Sequence, residues 1–390
     1  MEFKKSLLAL ASVAAILPAG LAYADDAKPA DAKPAGPTIS DVLTNSGIDM
    51  KGYFDASYIG SNKAPDGSIQ VFNQDKNSFA LHQFGITFSK TPKEGFGALL
   101  NLTAGRDAQT ISSYGASSQT VDITQGYIQY AKGAYTLIGG KFTTLAGAEV
   151  IDSSANTNIT RSILFGKIPF THTGLRLTDA LSDSTNFIVG VNNGWDQVTD
   201  TNTQKTVELG LTTAFTKDTS LAVSGYSGAE NSFPNAGFNY TTSGTYPTSV
   251  PSGTRNLIDA VFTTNITPSL TFILNGDYVS QDNVPGVNGK ATYSGFAGYL
   301  NYQISDFYRV SFRAEEVRDD SGWATALQPA YVGGTAPGAN NVREFTLTAG
   351  YAPVKNVEIR AEGRYDHSDL AVYSGGNNMT TFGLQGIYKF

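Results

Sequence analysis

The chain has no cysteine. That excludes disulfides and thiolate metal sites together. Histidine is nearly as scarce: His82, His172 and His367 are the only three, and no two fall at metal-ligand spacing. Charged residues make up 16% of the chain, where a soluble domain of this size carries about a quarter. The formal net charge is -7, so there is no basic footprint for nucleic acid. Beyond the N-terminal leader, no apolar run approaches the ~20 residues a membrane helix needs. No cofactor is expected.

What the chain does have is glycine and aromatics: 41 Gly, 22 Phe and 20 Tyr. Its last ten residues are Thr381-Phe382-Gly383-Leu384-Gln385-Gly386-Ile387-Tyr388-Lys389-Phe390, with Phe382, Leu384, Tyr388 and Phe390 on one parity. An alternating strand that ends the chain on an aromatic suits the closing strand of a membrane barrel, whose outer face meets lipid. A frayed soluble terminus would be polar. Mean hydropathy is only -0.17, as expected where a watered face dilutes a lipid face.

The N-terminus reads as a secretory signal peptide over 1–24. Met1-Glu2-Phe3-Lys4-Lys5 is basic, Leu7 to Leu17 is apolar and too short to span a bilayer, and Ala22-Tyr23-Ala24 offers a cleavage point. Removing two Lys and one Glu with the leader takes the formal charge from -7 to -8. Residues 25–46 read as a periplasmic linker. Asp25 to Pro37 lacks periodicity and repeats Ala-Lys-Pro-Ala at Ala27 and Ala32, either a disordered spacer or a segment touching peptidoglycan. Ile39 to Ser46 is expected to form a short helix starting at a Ser40 cap.

From Gly47 to Phe390 apolar residues recur at every second position over about ten residues, the length of a tilted membrane strand. Val357, Ile359, Ala361 and Tyr365 oppose Glu358, Arg360, Glu362, Arg364 and Asp366. Val207, Leu209 and Leu211 oppose Glu208, Gly210 and Thr212. Charge at every second position fits a watered interior better than a packed core. Short turns such as Lys132-Gly133, Lys217-Asp218 and Ser305-Asp306 alternate with long polar stretches such as Arg106 to Thr120 and Asp319 to Asn340. The expectation is an all-β, transmembrane, antiparallel up-and-down barrel of about 16 strands over 47–390, with short periplasmic turns and long extracellular loops. Such a ring leaves an aqueous channel.

The third long loop, Thr143 to Thr171, carries the most specific motifs: Gly140-Lys141-Phe142 followed by Glu149, then Asn156-x-Asn158-x-x-Arg161-Ser162 and His172-Thr173-Gly174. Here the chain resembles the bacterial outer-membrane porins, and more narrowly the OmpL-like β-barrel porins. The resemblance implies a location in the bacterial outer membrane and passive diffusion of small hydrophilic solutes and ions. It also implies a third loop folded inward to narrow the channel, no catalysis, and a homotrimer. Implied partners are outer-membrane lipid and lipopolysaccharide, and assembly machinery reading the strand that ends in Phe390.

If the loop folds inward, Glu149 and Asp152 would project negative charge into the constriction, with Arg161 at the loop's return. Strand parity would set Arg176, Arg309, Arg313, Arg360 and Arg364 on the lumen wall opposite, and the opposed charges would create a transverse field. The competing reading makes Arg309/Glu315 and Arg360/Glu362 ladder pairs that stiffen the wall, and Glu149 and Asp152 solvated loop residues. Tyr53, Phe54, Tyr58, Tyr127, Tyr130, Tyr299, Tyr302, Tyr351, Tyr365 and Tyr388 read as interface girdles. Trp195 and Trp323 either stack on sugars at the mouth or pack loops against the rim. Glu315-Glu316 and Asp319-Asp320 lack cation-ligand spacing. A surface barrel with a plugged, adhesive function is the main alternative to a channel. An outer-membrane enzyme is a third class, although no serine is marked as activated.

Overall fold

The computed structural model describes residues 38–63, 69–73, 77–113, 120–200, 202–231, 252–326 and 338–390. The signal peptide and most of the expected linker lie outside the described residues. Helix α1 (Ile39–Ser46) forms where the sequence places it, but its cap is Thr38. The Thr38 hydroxyl accepts from the Asp41 amide while Asp41 accepts from the Thr38 amide at 2.8 Å. This reciprocal capping box satisfies two amide donors, which a cap at Ser40 would not.

Sixteen strands follow. They begin with β1 (Asp49–Ser61), β2 (Ser78–Lys90), β3 (Gly95–Ala104), β4 (Val121–Lys132) and β5 (Tyr135–Thr143). Next come β6 (Thr171–Ser182), β7 (Thr185–Asn192), β8 (Thr206–Ala214), β9 (Thr219–Asn231), β10 (Ser252–Thr267) and β11 (Leu270–Gln281). β12 (Ala291–Gln303), β13 (Tyr308–Asp319), β14 (Asn340–Val354), β15 (Val357–Ser368) and β16 (Asn378–Lys389) complete the sheet. Each strand pairs with its chain neighbours, and β1 pairs antiparallel with β16, so the barrel is closed and has no free edge. Short turns gather at one end and long connections at the other. A second small helix, α2 (Ala108–Ile111), sits in one of the long connections.

Alternation decides which face meets lipid. On β8, Val207, Leu209 and Leu211 are exposed while Glu208 is fully buried. On β15, Ile359 and Tyr365 are exposed while Arg360, Glu362, Arg364 and Asp366 are buried. A barrel in hydrocarbon requires this inversion of the soluble pattern. The closing seam ends at Phe390, whose amide donates to the Gly52 carbonyl while the Gly52 amide donates to its carbonyl, both at 2.9 Å. Phe390 also lies 6.0 Å from Phe54 and 6.1 Å from Tyr388 between ring centroids, a cluster of the kind that marks the interface.

Three residues of the expected girdle face inward instead. Tyr53 donates to Gln83 across the inner wall at 2.5 Å. Tyr299 is 3% exposed. Between Asn101 and Leu102 the β3–β4 register shifts, leaving Thr124 as an extra residue on β4. Such a bulge reverses the alternation and puts Tyr127 on the side of buried Gln129, with Ile128 and Tyr130 exposed. Position near a strand end does not say which face an aromatic occupies.

Apolar packing gathers inside the long-loop end of the barrel. Val71, Phe72, Ile151, Phe165, Phe170 and Trp195 belong to one buried cluster, and Ile69, Ile163, Leu164, Tyr299 and Tyr373 to another. Trp195 and Trp323 are 5% and 2% exposed and flank the Arg255 guanidinium at 4.8 and 5.3 Å. They pack loops against the rim and offer no open face to a sugar.

Candidate functional site

The connection between β5 and β6, loop L3 (144–170), lies against the inner wall. Its amides and carbonyls have no ladder of their own beyond two 3₁₀ turns, Ser153–Ala155 and Phe165–Lys167. Unpaired backbone groups inside a protein need partners, and inward-facing wall residues provide them. The Glu362 carboxylate accepts from the amides of Ile159 (2.6 Å) and Thr160 (2.9 Å). The Glu315 carboxyl group accepts from Ile163 (2.7 Å) and Leu164 (2.6 Å) in the same manner. Arginines serve the carbonyls: Arg309 reaches Thr157 at 2.7 Å, Arg313 reaches Thr160 at 2.7 Å, and Arg364 reaches Arg161 at 2.6 Å. Lys389 on β16 donates to Ser154 at 2.7 Å. The loop is therefore fastened along β13, β15 and β16.

Each residue singled out from the sequence has a defined place in this arrangement. Glu149 is buried, accepts from Arg313 at 2.8 Å and from the Ser162 amide at 2.7 Å, and ties the two limbs of the loop together. Asp152 caps the first 3₁₀ turn, accepting from Ser154 at 2.8 Å. Arg161 is buried, donates to the Ile151 carbonyl at 2.9 Å and lies 5.2 Å from the Phe72 ring centroid. Arg313 also pairs with Glu344 at 3.0 Å, and Arg364 with Asp366 at 2.6 Å. Arg176 makes a bidentate pair with Glu208 at 2.6 and 2.7 Å on the far wall. Every one of these arginines faces inward, and each is engaged.

The ladder pairs weighed from sequence do not form. Arg309 and Arg360 both pair with Glu358, at 2.6 and 2.7 Å, while Glu315 and Glu362 hold L3. Arg309 reaches Glu358 across β14 because Gly350 lies between them. A Cβ at Gly350 would stand 2.6 Å from Glu358 Oε1 and 3.0 Å from Arg309 Cγ. Gly190 does the same for Arg176 and Glu208: its Cβ would stand 2.7 Å from Glu208 Oε1. Two strands of separation is too far for sequence pairing rules, which consider direct cross-strand neighbours. Asp319 caps the Ala324 and Thr325 amides at 2.7 and 2.8 Å. Among the described residues no cluster of His, Cys, Asp or Glu could hold a metal ion.

On the side away from β13–β16 the loop borders a cavity of about 460 Å³. The wall there is Tyr53, Thr87, Asn101, Thr103, Thr124 and Gln125, neutral hydroxyls and amides. L3 faces it with Leu145, Ala146, Glu149, Val150 and Asp152. The far end of the loop is anchored from the β7–β8 connection, where Asp196 Oδ1 accepts from the Phe170 and Thr171 amides at 2.8 and 2.9 Å. Burial, including an Oδ2 with no partner, pushes this carboxyl up to about 7. Gln83 and Asn275 also hold the loop, and neither was singled out from sequence, while Glu315 and Glu362 were weighed there as partners of Arg309 and Arg360. Their inward parity was the available signal.

A family model described as "Putative beta-barrel porin-2, OmpL-like" matches residues 47–390. Among solved structures, the outer membrane channel DcaP of Acinetobacter baumannii is similar at 14% identity, covering 88% of this chain and 97% of that one, with a TM-score of 0.58. OmpT of Vibrio cholerae, in its trimer form, gives 13%, 88%, 99% and 0.59. OprB of Pseudomonas putida gives 13%, 90%, 96% and 0.55. At such identities the likeness concerns the fold. No curated protein matches the sequence. A closed sixteen-strand barrel with an inverted exterior and a family match over the whole of it lead to one assignment: this bacterial outer-membrane protein belongs to the OmpL-like beta-barrel porin-2 family.

Proposed function

We propose that the barrel is a water-filled channel for passive diffusion of small hydrophilic solutes and ions, narrowed by L3. The observation that supports this most directly is the asymmetry of the loop. One side is bound to β13–β16 by wall carboxylates and arginines, and the other borders a cavity whose wall carries hydroxyls and amides and whose loop side is largely apolar. A loop held by charge-assisted bonds can narrow a lumen without filling it. Asp152 is the constriction residue that borders the cavity unpaired. Glu149 and Arg161 hold the loop's shape, while Arg309, Arg313, Arg360 and Arg364 fasten it and Arg176 braces the opposite wall. No catalytic role is assigned to any residue.

The leader 1–24 is removed on export and 25–46 forms a periplasmic linker to the barrel at 47–390. The exposed apolar belt contacts lipid and lipopolysaccharide, and the strand ending in Phe390 is read by assembly machinery. The OmpT structure in trimer form supports a homotrimer for this chain. Purified protein in planar bilayers should give stepwise, ohmic conductance, and proteoliposomes should swell in small sugars. The buried apolar clusters at the long-loop end favour a second reading, a plugged barrel with an adhesive surface. Impermeable proteoliposomes together with silent bilayers would select it.

A further inference from the structure

We infer that the channel prefers cations, and that Asp152 sets much of the preference. This rests on the channel reading above and adds to it the sign of selectivity and the residue responsible. In a membrane barrel the lipid face is the exposed face, so buried charges lie inside. Among the described residues, thirteen buried Asp and Glu side chains stand against eight buried Lys and Arg. The interior is acidic in formal charge, and fixed charge lining a pore sets ion preference.

The distribution matters more than the total. Six inward-facing cations sit beside carboxylates: Arg313 at Glu344 and Glu149, Arg364 at Asp366, Arg309 and Arg360 sharing Glu358, Arg176 at Glu208, and Lys141 at Asp122. Arg161 is turned under the loop onto the Val150 and Ile151 carbonyls. The cavity beside L3 has no Lys or Arg in its lining. Its two charged residues are Glu149, already paired with Arg313, and Asp152, which makes no ion pair within 4.0 Å among the described residues and whose hydrogen bond comes from the Ser154 amide. An ion passing between L3 and the neutral wall of Thr87, Asn101, Thr103 and Gln125 therefore meets a carboxylate without a counter-ion. Among the described residues no Lys or Arg lines that space, and the cation held next to this turn, Lys389, lies behind it on the Ser154 carbonyl, so the potential on the ion path is acidic on the loop side.

A unit charge about 6 Å from the ion path, in water and at ~0.1 M salt, changes the cation-to-anion permeability ratio about threefold. The test is the reversal potential of the refolded full chain in planar bilayers under a KCl gradient near 0.1 M. The wild type is expected to be cation-selective, and Asp152→Asn to lower its permeability ratio about threefold with conductance retained. Asparagine keeps the oxygen that caps Ser154, and unchanged heat-modifiable mobility on a gel checks that the barrel is intact. Asp218→Asn, on an exposed turn between β8 and β9, removes the same charge elsewhere and should leave the ratio unchanged. Near 1 M KCl the difference between wild type and Asp152→Asn should largely vanish. Anion preference in the wild type, or an unaltered ratio in Asp152→Asn, overturns the inference while leaving the channel in place. Absence of any conductance overturns the channel reading, and the inference with it.

Discussion

Removing the Glu362 carboxylate should release L3 without unfolding the barrel. This side chain accepts from two consecutive loop amides, at 2.6 and 2.9 Å, and from the Thr348 hydroxyl at 2.7 Å. Hydrogen bonds to charged groups are worth about 1.5–3 kcal/mol each, so Glu362→Ala weakens the docking by about 3–6 kcal/mol through the two amides. Every 1.4 kcal/mol is about a tenfold change in an equilibrium. The undocked fraction of the loop should rise at least about a hundredfold. Arg161 and Lys167 lie within L3 and are 5% and 3% exposed, so trypsin reaches them only when the loop opens. Cleavage there follows the open population when reclosing is fast. The expected result is about a hundredfold faster trypsin cleavage at these two sites and little change in barrel melting in detergent, with noisier single-channel current in planar bilayers. Glu362→Gln, which retains one acceptor, should fall between. Cleavage within about threefold of wild type in Glu362→Ala would show that the loop is held by something other than these bonds.

Other perturbations address the wall itself. Leu209→Arg, on the lipid face of β8, should destabilise the barrel by about 2–4 kcal/mol in urea unfolding from bilayers, whereas Thr87→Lys, half-buried on the wall of the cavity, should fold normally and weaken cation preference. Gly190→Val places a Cβ 2.7 Å from Glu208 Oε1 and 3.1 Å from the Leu175 carbonyl. Overpacking of this kind costs about 1–3 kcal/mol, measurable as a lowered urea midpoint. Asp196, with its carboxyl raised to about 7, has a folded pKa above the unfolded value of about 3.9. The stability it contributes is present below pH ~4 and is lost as pH rises to about 7. Tryptic cleavage at Lys167 should therefore accelerate over that window, and Asp196→Asn should flatten the profile.

The class of architecture was legible along the chain because the information for it is local. The alternation of Val207, Leu209 and Leu211 with Glu208 and Gly210 needs only a neighbour two residues away, and it states which face meets hydrocarbon. Turn lengths and the aromatic end of β16 are equally local, so the strands and the alternation of their connections could be counted along the chain. The inward position of Arg176, Arg313 and Arg364 followed from the same parity. The girdle reading took aromatics near strand ends without regard to parity, and Tyr53, Tyr127 and Tyr299 turned out to face inward.

Partner choice was decided by tertiary structure alone. Arg309 passes over Gly350 to Glu358, two strands and 49 residues away, while Glu315, the neighbour it was paired with on paper, spends its oxygens on L3 amides. Opposed arginines and acids suggested a field across open water. The loop instead docks onto the arginines and closes that gap, leaving Asp152 facing neutral threonines and amides. Coulomb energy depends on separation in space and on what water is displaced. Neither quantity can be read from order along a chain until the loop's path is known.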